Sequence, residues 1–344
     1  MRVRLTLATM LLLAMAVAAT TSAGDSPRQV LRRIPIDGEG GWDDLTVDGP
    51  TQRLFVTHST RVVVVDLARD SVIGQVDSTM GVHGVAIAPD LGRGFASDGR
   101  DSTVTMFDLA HYSVLGRVAV PGRNPDAIVY DPVSQRVFAF CGGSANAAVI
   151  EGRSGRVVGV VPLGGRPEFA VVDGTGRLFV NLEDSSAVVT LDTRTLAVVA
   201  RWTLAPGEGP SGLAMDQKHG RLFAGCANQK LVVLDARNGR VVSTLPIGTG
   251  VDGVRFDATR GLVYSSNGEG TLTVIHEDDA DHYRGVETVT TERGARTCAL
   301  DPQTGLVYTA TADFGPPPAP TPDRPHPRPS IVPGTFRVLV VGSR

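Results

Sequence analysis

The stretch RLFAGCANQKLVVLDARNGRVVSTLPIG (221–248) contains three short apolar runs, RLFAGC, KLVVLD and RVVSTLPI, separated by turns rich in Gly, Asn and Asp. None of the runs is long enough for a stable helix, and their Val, Leu and Phe content suits strands buried on both faces. With GLAMD (212–216) ahead of it and the turn QKHG between, the stretch reads as four consecutive strands. Gly and Asn at the turns supply the positive φ that tight hairpins need.

The same pattern recurs along the chain. RLFVTHSTRVVVVDLARDSVIGQVD starts at Arg53, RVFAFCGGSANAAVIEGRSGRVVGVVPLG at Arg136 and RLFVNLEDSSAVVTLDTRTLAVVARWTL at Arg177. Less regular copies begin at Arg93, Gly261 and Gly305, so the seven anchors, Arg221 included, are spaced by 40, 43, 41, 44, 40 and 44 residues. Four strands at this period mark a β-propeller. The last unit ends after FRVLVVG (336–342) without a fourth strand, and RQVLRRIPIDG (28–38) matches GRVVSTLPIGTG (239–250). The expected fold is therefore all-β, a seven-bladed propeller closed by the N-terminal strand pairing with the last blade. Such closure hides a sheet edge.

Units of the form RLFV…VVVLDARNGRVV…LPIG, with Asp-Pro pairs at Asp131 and Asp301, resemble the YVTN-repeat β-propeller family of exported bacterial proteins (YncE-like). The segment GVRFDATRGLVYSSNGEGTLTVIHED (253–278) carries the resemblance most strongly. It implies an exported, non-cytoplasmic propeller, some of whose relatives bind nucleic acids or surfaces. The repeat is scaffold, so the resemblance speaks to architecture more than to activity.

The N-terminal 25 residues have the layout of a secretory signal peptide: Arg2 and Arg4, an apolar stretch from Leu5 to Ala19, then small residues. Cleavage after Ala23 would leave a single propeller domain over 24–344, with a periplasmic or secreted location and no membrane span. It would also take the net charge from −3 to −5, which gives no basic footprint for nucleic acid. Cys141, Cys226 and Cys298 form no C-x-x-C, and an odd count leaves at least one thiol unpaired.

Candidate functional residues emerge when the units are aligned. Five residues before the end of each first strand stand Asp43, His83, Asp126, Glu168, Ser211, Asp252 and Arg296, all polar. A second column, at the ends of the second strands, holds His58, Asp98, Cys141, Asn181 with Glu183, Cys226 with Asn228, Asn267 with Glu269, and Asp313. In a closed ring both columns are expected at one mouth of the central channel. The expected ligand-binding set is Asp43, His58, His83, Asp126, Glu168, Asn181, Asp252, Asn267 and Arg296. Asp43, His83, Asp126 and Glu168 are the candidate metal ligands, for a divalent cation. The leading expectation is binding of a small molecule, a cation or a protein partner at the mouth, with no catalysis assigned. The alternative is a metal-dependent hydrolase or lyase that uses the acidic ring, and a purely structural or cell-surface interaction protein is the third. GTGVDG (248–253) has the spacing G-x-G-x-x-G but leads into a strand, which removes the dinucleotide reading. HEDDADH (276–282) falls at a turn on the opposite face and reads as a solvated acidic turn. A Pro-rich loop at 313–335 interrupts the last unit and is expected at the mouth, as a lid or as a stiff excursion packed on the rim.

Overall fold

A computed structural model describes residues 26–321, 327 and 329–344. The expected signal segment and part of the Pro-rich loop lie outside the described residues. The described residues form seven four-stranded antiparallel sheets, with two single-turn 3₁₀ segments, Pro89–Leu91 and Gly142–Ser144, between strands. The first strands of blades 1 to 7 are Trp42–Asp48, Val82–Ala88, Pro125–Asp131, Pro167–Val172, Pro210–Asp216, Val251–Asp257 and Cys298–Leu300. Each of these strands lies against the first strand of the next blade, and that of blade 7 lies against that of blade 1, so the ring closes. In blade 7 the N-terminal strand Gln29–Pro35 pairs antiparallel with Arg337–Gly342, with Ile34 opposite Val338. The fold is therefore an all-β, seven-bladed propeller latched by its own N-terminal strand.

Period-two alternation explains how apolar runs fill both faces of a blade. In blade 5, Leu222, Ala224, Val232 and Leu234 pack toward blade 4, while Phe223, Leu231 and Val233 pack toward blade 6. Among the described residues there are seven such apolar clusters, one at each blade junction. The anchor arginines of the repeat add polar ties between blades. Arg93, Arg136, Arg177 and Arg221 each donate to carbonyls in the third-to-fourth strand turn of the following blade, as in Arg136 to Thr193 and Arg194, both 2.8 Å.

One irregularity positions the channel side chains. In blades 1 to 6 the first strand carries an extra residue relative to its partner, at Asp43–Asp44, His83–Gly84, Asp126–Ala127, Glu168–Phe169, Ser211–Gly212 and Asp252. A β-bulge re-aims its side chains and bends the strand. Second-strand side chains satisfy the disturbed backbone: Thr57 accepts from Asp43 N and donates to Asp44 O, and Ser97 accepts from Gly84 N. The backbones of neighbouring first strands come so close that a Cβ on Gly212 would lie 2.7 Å from Val254 N.

Candidate functional site at the channel mouth

The bulges bring the whole first column together. Asp43, His83, Asp126, Glu168, Ser211, Asp252 and Arg296 all line one cavity of about 620 Å³ at the mouth. Their side chains join around the ring, blade to blade. Ser211 Oγ donates to Asp252 Oδ1 at 2.6 Å, and Arg296 binds Asp252 at 2.5 Å and Asp43 at 3.0 Å. His83 Nδ1 lies 2.6 Å from Asp43 Oδ2 and 3.7 Å from Asp126 Oδ1. Glu168 stands at the end of this chain, with Arg166 3.4 Å away, and Arg166 also meets Glu183 at 3.0 Å.

Burial and charge set the protonation of the ring. Burial alone would lower the His83 pKa, but the hydrogen bond to Asp43 and the charges of Asp126 and Asp43 outweigh it and hold His83 at about 9. His83 is thus an imidazolium donor at neutral pH. Burial pushes Asp126 up to about 6, against the pull of His83. Glu168 is raised to about 8, first by burial and then by the charges of Asp126, Glu183 and Asp252, with Arg166 opposing. Its carboxyl is mostly protonated at pH 7.

Below the ring, Arg255 reaches from blade 6 to Asp44 in blade 1 at 3.1 Å, and its guanidinium lies 5.5 Å from the ring centre of Phe169 in blade 4. These three side chains form a floor between the mouth and a second, 310 Å³ space deeper in the channel. Asp44 is raised to about 7 by burial, which Arg255 partly offsets.

The second column does not share the mouth, and that expectation is corrected. Of its members only Glu183 lines the cavity. His58 is 1% exposed and stacks on Phe336 at 4.4 Å, where burial and then Arg61 lower its pKa to about 4. Asn181 is buried and donates to Ser211 O and Gly212 O, clamping the bulge of the next blade. Asn267 is buried and donates to Thr271 and Thr273. The reason is the orientation of the blade: successive second-strand side chains alternate between its two faces, each packed on a neighbouring blade, with Asn181 toward blade 5 and Leu182 toward blade 3, and the channel is left to the first strands. Cys141, Cys226 and Cys298 are free and buried, with burial raising each thiol to about 11, 12 and 11.

Donor atoms of Asp43, His83 and Asp126 lie within 4.8 Å of one another, a grouping compatible with a metal ion, while Glu168 is outside that group. A cation there must displace the His83 proton. Sequence reading missed Asp44, Asn124, Arg166 and Arg255. The doublet Asp43-Asp44 was the available signal, but using it required knowing the bulge. It also passed over Asp216, His219 and Glu277, which meet between blades 5 and 6 at the other end of the propeller. Glu277, part of the acidic turn segment, is buried there rather than solvated.

The base of the Pro-rich loop is closed by its own backbone. Phe314 pairs with Ile331, Gly315 N donates to Ser330 O at 2.9 Å, and Val332 N donates to Asp313 O at 2.8 Å. Among the described residues, no helix is long and apolar enough to cross a membrane.

No family model matches the chain, and no curated protein matches it. A chain in a solved structure entitled "Crystal Structure of Mitotic Checkpoint Complex" is similar at 13% identity, over 89% of this chain and 96% of that one, with a TM-score of 0.73. At that identity the similarity speaks for the propeller fold alone.

Proposed function

We propose that this chain is an exported binding propeller of the YVTN-repeat kind whose mouth takes a small cationic ligand. The observation that carries the reading is the convergence of six carboxylates, Asp44 included, on one cavity against Arg166, Arg296 and His83. A ring with excess negative charge in a low-dielectric concavity favours a positive guest. The tied arginine and imidazolium orient the carboxylates, and Glu168 with Asp126 is the least neutralised part of the wall. A cation bound there would ionise Glu168, so binding at pH 7 would release a proton.

Isothermal titration with spermidine and choline, repeated in buffers of different ionisation enthalpy, tests this. Saturable binding with proton release, lost in the D126N/E168Q double variant, is the expected result. No heat and no thermal shift with any amine would sink the reading. Export is tested by N-terminal sequencing of the protein recovered outside the cytoplasm, with Gly24 expected as the first residue.

The grouping of Asp43, His83 and Asp126 favours a second reading, a divalent cation serving a hydrolase or lyase. Elemental analysis of untagged protein separates the two, since the second reading requires a stoichiometric ion that disappears in the D126A/E168A variant. A protein partner docked at the Pro-rich loop is the remaining reading. Deleting residues 316–330 would then abolish recovery of that partner.

A further inference from the structure

Beside the mouth lies a separate cavity of about 290 Å³ walled by Trp42, Phe314, Pro329, Ile331, Arg293 and Arg296. Its wall is the reverse of the mouth: flat, apolar and aromatic, with cationic groups at its edge. Trp42 is held by Phe336 at 5.1 Å and Phe314 at 6.1 Å between ring centres. Phe314 is fixed in turn by its bridge to Ile331 and lies directly over Gly294, where a Cβ would sit 2.7 Å from the ring. The pocket is therefore built by packed side chains on paired backbone, which is what holds a binding surface in shape.

One cationic donor here lacks a carboxylate partner among the described residues. The Arg293 guanidinium lies over the Phe314 ring at 5.7 Å and, unlike Arg296, makes no ion pair among the described residues. Arg293 is exposed and so open to an anion held against the aromatic wall. Among the described residues no carboxylate lines this cavity.

We propose that this cavity binds a flat aromatic molecule bearing one carboxylate, with the ring between Trp42, Phe314 and Ile331 and the carboxylate meeting Arg293. The same chemistry is presented by a free aromatic acid and by a peptide ending in an aromatic residue. The assignment is independent of the cationic ligand proposed for the mouth.

The test is isothermal titration of the full chain with naphthalene-2-carboxylate and with its neutral carboxamide. The acid is expected to bind one to one, and the amide at least tenfold more weakly. R293Q should bring the acid down to the level of the amide and leave the amide unchanged. D126N, which disables the mouth, should leave the acid bound. Thermal melting confirms that each variant folds. N-acetyl-Gly-Phe with a free or an amidated terminus identifies the source: tighter binding of the free-terminus peptide than of naphthalene-2-carboxylate assigns a chain end, and the reverse assigns a small acid. Equal affinity for naphthalene-2-carboxylate and its amide, or an unchanged acid preference in R293Q, would overturn the proposal.

Discussion

The repeat's anchor arginine illustrates how one side chain can have a role the repeat pattern conceals. Arg136 begins a second strand but serves the next blade, where the two hydrogens of its Nη1, fixed in the guanidinium plane, meet two carbonyls of one turn. Planar guanidinium geometry suits paired acceptors, which an ammonium engages less well. R136A should therefore destabilise the protein by about 1–2 kcal/mol, the range for hydrogen bonds from a charged group with partial exposure. R136K should recover less than half of that. Equilibrium urea unfolding measures both, and wild-type stability in R136A would refute the role. The aspartates that close the third strands work similarly. Asp235 is drawn down to about 2, first by the Arg237 side chain and against burial, while accepting the backbone N–H of Arg237. These residues show in the sequence only as turn punctuation, because spacing reveals where a chain reverses but not what the reversal touches.

At the scale of elements, the decisive pieces are the closing strand and the bulges. The closing strand was legible because RQVLRRIPIDG repeats the fourth-strand pattern and the last unit lacks one. Its Ile34 is 2% exposed in the cluster shared by blades 7 and 1. I34A should cost about 2–4 kcal/mol, as buried Ile-to-Ala truncations do. The same truncation at exposed Ile73 should cost well under 1 kcal/mol. Equal midpoints for the two variants would show that the latch adds no stability. The bulges were not legible. They add one residue to the first strands of blades 1 to 6 without disturbing their composition, so the first column could be picked by counting while its inward aim could not. The second column failed for a different reason. Second-strand side chains alternate between the two neighbouring blades, so Asn181 meets the backbone of blade 5 and not the channel.

Across the whole molecule, the ring of charges sets a pH profile. His83 is raised above its unfolded value of about 6.5, so the stability it contributes is full below that pH and is lost as pH climbs through about 9. Glu168, Asp126 and Asp44 are raised carboxyls, and the fold resists their ionisation, so stability also falls as pH rises from about 4 through 8, 6 and 7 respectively. Both trends run the same way between pH 6.5 and 9. The depressed aspartates, Asp235 among them, act at the other end, where their contribution is lost as pH falls below about 4. The melting temperature should therefore peak between about pH 4 and 6.5 and decline toward pH 9. E168Q should flatten the decline up to pH 8 and leave the final part, which belongs to His83. A flat profile from pH 6.5 to 9 in the parent protein would contradict the assignment.

The tie from Arg255 to Asp44, with Phe169 beneath the guanidinium, lays a brace across the bore from blade 6 to blades 1 and 4. A guest descending from the rim meets that charged and aromatic crossbar. The two ends of the molecule are thereby chemically unequal, which gives a nearly symmetric wheel a front and a back.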